Sequence, residues 1–290
     1  MKKTAKVILS GGAAFGLAHI GALQVIESRF NISGIIGTSI GSIIGGLYAK
    51  GYSPKEILHL VMEIKKKDIF NPLNLDRYLT GIFDGKMIFN KLEEWTDKTL
   101  IDDCRIPFMA VSYDLKKSNS IIIDKGSLAK AMRASSSIPY LFSPYRWGSY
   151  SFVDGGIEYP LPLALSESLP GELTIVVNVL PSKMKEPEHI DIFSNDANKD
   201  KLRLHEVFLQ SITQNQAYMA MLSIIENRPD IVVDAWYPKG NVFDFEEAET
   251  FYRWGISKAQ DVLNNYEEPN YIEVIRDKYK TLVSRLNKGF

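Results

Sequence analysis

Twice within about its first fifty residues the chain passes from a short apolar run, through small residues, into a helical pattern, and few folds accommodate that repetition. Residues 5–9 (AKVIL) run into glycines, after which Leu17, Ile20, Leu23, Val25 and Ile26 come at near-helical spacing. Residues 32–36 (ISGII) then enter Gly37-Thr38-Ser39-Ile40-Gly41, and the small-residue segment from Ser42 to Lys50 reads as a closely packed helix. Two strand-turn-helix units in succession predict neighbouring parallel strands with helices packed on them.

The rest of the chain keeps to that scheme. Strands are expected at 106–113 (IPFMAVSY), 120–123, 151–153, 173–179 (LTIVVNV) and 230–233, and helices near 54–66, 86–98, 127–135, 202–226, 246–264 and 271–287. The order is α/β throughout. No internal repeat or low-complexity tract interrupts it. The charge-rich stretch 181–201, with Pro181 and Pro187, reads as a surface excursion. Nothing in composition marks a linker, so 1–290 is expected to be one domain, its core motifs within 5–180 and a helical portion, 201–290, completing it.

Composition excludes several function classes. With 34 Lys or Arg against 35 Asp or Glu the net charge is -1, so no global field points to nucleic acid or another polyanion. Hydrophobic residues at 45% supply an ample core and rule out intrinsic disorder. The single cysteine, Cys104, makes neither an internal disulfide nor a thiolate metal site, and its place before a predicted strand suggests a buried structural thiol. No metal-ligand spacing occurs, and no metal or cofactor is expected. Lys2 and Lys3 imitate the start of a secretory signal, but Val7-Ile8-Leu9 is too short an apolar run, and Gly11, Gly12, Gly16 and His19 break up the residues after it. Nor does any run reach the roughly 18 apolar residues of a spanning helix, so a soluble cytoplasmic protein, or one peripheral to a membrane, is expected.

Two turns carry the candidate chemistry. Gly37-x-Ser39-x-Gly41 between a strand and a helix is the nucleophile-elbow pattern, in which a serine sits on a strained turn and small neighbours let the backbone fold tightly. Gly11-Gly12-Ala13-Ala14-Phe15-Gly16 lies in the equivalent place of the first unit, where amides at a helix N-terminus are ready donors to a negative oxygen. That loop suits an oxyanion hole or a phosphate, and equally a turn that needs small residues for packing. A dinucleotide fingerprint would want glycine at position 13 and an acidic residue closing the second strand, which closes instead on Gly37-Thr38-Ser39.

A serine nucleophile needs a base. Of the four histidines, His205 opens a predicted helix, His189 lies in the charged stretch, His59 is on an amphipathic helix and His19 is inside the first helix, so each reads as a surface or packing residue. The alternative is Asp154 in Phe152-Val153-Asp154-Gly155-Gly156, an acid at a strand end with two glycines after it, which also fits a plain Asp-Gly turn. A carboxylate can serve as general base where geometry and pKa suit.

Taken together, VILSGGAAFGLAHIGAL, IIGTSIGSIIGGLYAKG, AMRASSSIPYLFSP and FVDGGIEYPLP resemble, in order and approximate spacing, the patatin-like phospholipases. The likeness runs from about residue 5 to about residue 180 and more weakly through PDIVVDAW and FDFEEAETFYRWG. It implies an α/β three-layer sandwich with a mainly parallel central sheet and helices on both faces. It also implies Ser39 as nucleophile, Asp154 as base, the amides of Gly11, Gly12 and Ala13 as oxyanion hole, and Gly16, Gly37, Gly41, Gly155 and Gly156 as support for these turns. The substrate would be a lipid or lysolipid acyl ester, hydrolysed without a cofactor; the alternative is a catalytically weak lipid-binding or regulatory protein of the same fold.

Two departures from the family pattern stand out. Ala13 replaces the usual third glycine and lacks glycine's freedom at positive φ. Phe15 stands where the family typically has Arg or Lys, and either adds apolar wall beside the ester, reducing dependence on a phosphate head group, or points into the core. The helix from Pro54 carries Ile57, Leu58, Val61 and Ile64 on one face and is expected to cap the site; the adjoining Lys65-Lys66-Lys67 offers contact with an anionic membrane. Ser135-Ser136-Ser137 before Pro139 reads as a turn supporting the site.

Overall fold

The computed structural model describes residues 2–64, 80–182 and 204–266. Its centre is a sheet of eight strands: β1 (Thr4–Leu9), β2 (Asn31–Thr38), β3 (Phe108–Asp114), β4 (Asn119–Ile123), β5 (Tyr145–Trp147), β6 (Tyr150–Asp154), β7 (Leu173–Asn178) and β8 (Ile231–Asp234). Their spatial order is β5-β6-β3-β2-β1-β7-β8, with β4 also on β3. The five strands β3, β2, β1, β7 and β8 are parallel, as the repeated strand-turn-helix units require. An antiparallel flank of β4, β5 and β6 completes the sheet. β5 is three residues long and had no signal in the sequence pattern.

Among the described residues seven helices accompany it: α1 (Ala18–Arg29), α2 (Ile40–Lys50), α3 (Pro54–Met62), α4 (Lys86–Thr96), α5 (Leu128–Ser135), α6 (Leu204–Asn227) and α7 (Ala248–Asn264). Alternation along the strands divides the core. Val7, Leu9, Ile35, Ile175 and Val177 face one layer, where they pack with Ile20 and Leu23 of α1, Ile44 and Leu47 of α2 and Phe251 of α7. The intervening Ile8, Ile36 and Val176 face the other, with Leu161, Leu163, Leu169 and Ala217 and Ala220 of α6. This is the three-layer α/β sandwich expected, and α7 closes onto α1.

Some boundaries differ from the sequence reading. α2 begins at Ile40, because the turn at Ser39 itself serves as its N-cap. α3 opens with a capping box, Ser53 accepting from the Glu56 amide while the Glu56 carboxylate accepts from the Ser53 amide at 2.7 Å, and Pro54 occupies the first turn. Cys104 is half-exposed rather than buried: a single 3-10 turn (Ile101–Asp103) delivers it to the approach to β3, four residues before the strand begins, where its thiol lies 3.7 Å from the Leu100 carbonyl oxygen. The helix expected at 271–287 and most of the stretch 181–201 lie outside the described residues. Among the described residues no helix is long and apolar enough to cross a membrane.

Candidate active site

A strand has two edges, and the three partners of β3 must share them. β4 occupies Ala110 to Asp114 on one edge. β2, paired from Phe108 to Val111, and β6, paired from Ser112 to Asp114, both overlap β4 and therefore lie one after the other along the opposite edge. β2 runs parallel and ends with Thr38 opposite Val111, whereas β6 runs antiparallel and ends with Asp154 opposite Ser112. The two strands meet end to end, and Ser39 leaves one where Asp154 leaves the other.

Ser39 takes φ 56° and ψ -126°, a left-handed conformation that costs an L-residue on the order of 1–3 kcal/mol. The surroundings fix it. Its amide donates to Ser135 Oγ at 2.9 Å, and that hydroxyl donates to the Val111 carbonyl oxygen at 2.6 Å, tying the elbow to the centre of the sheet. The Ser42 amide and hydroxyl donate to the Ser39 carbonyl oxygen at 2.9 and 2.6 Å. The flanking glycines are required by contact: a side-chain carbon at Gly37 would collide with the backbone of Gly41, and one at Gly41 would lie 2.5 Å from the Ser10 carbonyl oxygen.

Asp154 is almost wholly buried, and burial pushes its carboxyl up to about 6, against the opposing pull of the neighbouring Ser39 hydroxyl and of the Gly156 amide. Its Oδ1 accepts from that amide at 2.8 Å, and its own amide donates to the Ser137 carbonyl oxygen at 2.9 Å. Oδ2 is buried and has no partner in hydrogen-bond geometry among the described residues. The Ser39 hydroxyl is thus near enough to bear on the carboxyl's titration, while Oδ2 stays open to receive a proton. Gly155 packs against the Val111 backbone and holds the end of β6 down on β3.

Of the three loop amides expected to face an oxyanion, one is already engaged. Gly11 is beside the nucleophile, but its amide already donates to the Pro160 carbonyl oxygen at 2.8 Å, which corrects the expectation that it serves an oxyanion. Gly12 lies at φ 141° and Ala13 at φ 49°, and neither amide donates to a described residue. The next amides turn inward, Ala14 to Val242 and Phe15 to Gly12. Gly16 packs against Ile40 of the elbow. The Phe15 side chain is buried, edge-on to Phe251 with ring centroids 5.7 Å apart, and lines no cavity at Ser39. Of the two readings of Phe15, core is the one observed: the 3-10 turn Ala13–Leu17 directs it towards α7.

Under this loop, His19 is fully buried with Nε2 2.9 Å from the Ser10 carbonyl oxygen, and burial pushes its pKa down to about 4. It is a packing residue. His59 is exposed on α3, His189 lies outside the described residues, and His205 is in the first turn of α6.

Two cavities meet at Ser39. One is walled by α2, α3 and α4 through Ile43, Val61, Met87 and Leu92, and Ile64 also lines it, so the helix from Pro54 does cap the site. The other holds Asp154 and is walled by α6 through Leu209, Ile212, Thr213 and Gln216. Sequence reasoning marked the serine run as support without seeing how each serine acts, and it missed Arg133. That guanidinium is buried, donates to Ser137 Oγ at 2.5 Å and to the Gly85 carbonyl oxygen at 3.2 Å, and so joins the strap behind Asp154 to the start of α4. A charged residue among the alanines and serines of AMRASSS was its one visible signal.

The model of the patatin-like phospholipase family matches residues 7–165, more than half of the chain, and the chain belongs to that family. An uncharacterized NTE family protein of Mycobacterium tuberculosis is 33% identical over 172 residues, 59% of this chain and 48% of that protein. The mouse patatin-like phospholipase domain-containing protein 6 is 29% identical over 61% of this chain and 13% of its own length. Lysophospholipase NTE1 of Debaryomyces hansenii is 24% identical over 93% of this chain and 18% of its own. The chain thus spans about half or less of the length of these relatives. Among solved structures, VipD from Legionella pneumophila matches with a TM-score of 0.44 at 12% identity, over 90% of this chain and 67% of that one, a likeness that bears no functional argument.

Proposed function

We propose that the chain is a single-domain serine acyl-ester hydrolase acting on lipids, of phospholipase A or lysophospholipase type, with Ser39 as nucleophile and Asp154 as base. The observation that carries this reading is the end-to-end meeting of β2 and β6, which brings a strained serine to a buried carboxylate with an unpartnered oxygen. Ser39 Oγ attacks the ester carbonyl carbon as its proton passes to Asp154 Oδ2. The amides of Gly12 and Ala13 donate to the oxygen that becomes negative; one such donor is typically worth roughly 10²–10³ in kcat. The tetrahedral intermediate collapses and the alcohol leaves with the proton from Asp154; water, deprotonated by the same carboxylate, then attacks the acyl-enzyme, and the fatty acid departs as that proton returns to Ser39 Oγ. A base with a pKa near 6 is mostly ionised at neutral pH and close enough to it to exchange protons in both directions.

Family membership and the apolar cavity at Ser39 support a lipid substrate. The test is labelling with a fluorophosphonate probe, then mass mapping of the adduct. Modification at Ser39, abolished in Ser39→Ala, is expected; an unlabelled protein, or an adduct elsewhere, would remove Ser39 from the mechanism.

A further inference from the structure

We infer that the two cavities at Ser39 divide the substrate between them, the acyl chain lying in the cavity walled by α2, α3 and α4 and the alcohol in the cavity beside Asp154 and α6. The assignment rests on the hydrolase reading above, which by itself leaves the direction of the ester open. The path of the proton sets that direction. The proton that Ser39 gives up resides on Asp154, and the departing oxygen must regain it as the carbon–oxygen bond breaks, so that oxygen lies on the Asp154 side of the nucleophile. Asp154 borders the second cavity and not the first. The acyl chain, attached to the other side of the carbonyl carbon, is left with the first.

The walls agree with this division on independent grounds. Among the described residues around the first cavity, all except Ser39, Lys91 and Ser136 are apolar. An alkyl chain has nothing to offer but methylenes, and each one buried strengthens binding about fourfold. The second cavity adds Thr213 and Gln216 from α6, uncharged groups able to hydrogen-bond the hydroxyls of an alcohol such as glycerol. The shared residues, including Ala13 and Phe243, lie around Ser39, where the carbonyl must sit in either orientation.

The test measures kcat/KM of the full chain for 4-nitrophenyl butyrate, 4-nitrophenyl laurate and naphthyl butyrate, which separates acyl length from alcohol bulk. Ile43→Trp on α2 and Met87→Trp on α4 each fill the proposed acyl cavity from a different wall. In both, the laurate-to-butyrate ratio should fall at least about tenfold while the naphthyl-to-nitrophenyl ratio holds. Ile212→Trp and Thr213→Leu, on the opposite wall, should depress the naphthyl-to-nitrophenyl ratio and leave the laurate-to-butyrate ratio in place. Thermal melting identifies the variants that fold. An exchanged pattern, or unchanged ratios in folded variants from both walls, would overturn the assignment. If the wild-type chain hydrolysed none of the three esters and took up no fluorophosphonate, the hydrolase reading itself would fall, and the assignment with it.

Discussion

Two non-glycine residues at the site, Ser39 and Ala13, share a left-handed backbone, but they are held in different ways. Ser39, at φ 56°, is fastened to regular structure: its amide bonds the last residue of α5, and through that hydroxyl it reaches the middle of β3. Ala13, at φ 49°, sits in a loop fixed by neighbours that are themselves in loops, with Gly11 bonded to Pro160 and Ala14 to Val242. On the proposed mechanism the strain at the serine serves the chemistry, since it holds the nucleophile at the turn that ends β2. The alanine contributes an amide that any residue would supply. Strain at a functional site therefore divides into a part the chemistry uses and a part imposed only by the path of the chain.

The largest effect should come from the first kind. Ser39→Ala is expected to lower hydrolysis of a nitrophenyl ester by about 10⁴-fold or more. Its melting temperature should stay the same or rise, since the rest of the turn is held without the hydroxyl. Turnover close to wild type would break the comparison at its root, because the strain at Ser39 would then serve no reaction.

Asp154→Asn keeps the shape and removes the proposed base, so kcat should fall by roughly 10²–10⁴. Wild-type kcat/KM should rise with pH through about 6 as the carboxyl ionises. Stability should move the other way. A carboxyl raised to about 6 favours the fold in its protonated form, a contribution present below the ordinary carboxyl value and lost as pH rises through about 6. A rise of about two units corresponds to on the order of 3 kcal/mol. Asp154→Asn should thus melt several degrees above wild type at pH 8, with the gap closing towards pH 4. His19 has the opposite sign, stabilising above about 6.5 and losing that contribution as pH falls through about 4, and it is common to both proteins. A pH-independent gap would show that Asp154 is not held near 6.

The same division runs through the features legible in the sequence. The parallel sheet, the elbow and the Asp-Gly-Gly strand end could be read, because each is a local pattern of small and apolar residues that the backbone itself requires. The fate of individual groups could not. The Gly11 amide is spent on Pro160, and Phe15 meets Phe251, partners far along the chain that only the packing of loops and α7 brings near. Ser135 was readable as part of a supporting turn, but which serine of three faces Ser39 depends on the rotation of α5. The cavity walls from α4 and α6 carry no motif, since apolar residues of many kinds would line them equally well.

Ser135→Ala tests the fastening directly. It leaves the Ser39 amide and the Val111 carbonyl oxygen without their shared partner, a loss of about 1–3 kcal/mol if both stay buried. With the elbow loosened, kcat should drop about tenfold or more while KM changes little, because neither cavity is lined by Ser135. Chemical denaturation and steady-state kinetics read the two effects separately. Unchanged stability and kcat would mean that the Ser42 bonds and the glycine contacts suffice to hold the elbow, and the two strained residues would then differ less than the Ser135 bridge suggests.

The smallest effect belongs to Ala13. In a left-handed conformation an alanine bears a penalty of about 1–2 kcal/mol that a glycine escapes. Glycine in turn gives the unfolded chain more freedom, which offsets about 0.4–1 kcal/mol of the gain. Ala13→Gly should therefore raise the free energy of unfolding by up to about 1 kcal/mol, measured as a shift in the urea midpoint at constant m-value. Activity should hold, because the amide remains and its placement is set by the bonds at Gly11 and Ala14. The methyl group lost here borders both cavities at Ser39, so the substitution also weighs contact against conformation. A more stable, fully active variant would place the strain at Ala13 with the path of the loop. A less stable one would mean that the methyl's packing outweighs the backbone penalty, and a stable variant with reduced kcat would show that the alanine's restricted backbone helps to aim its amide at the developing oxyanion.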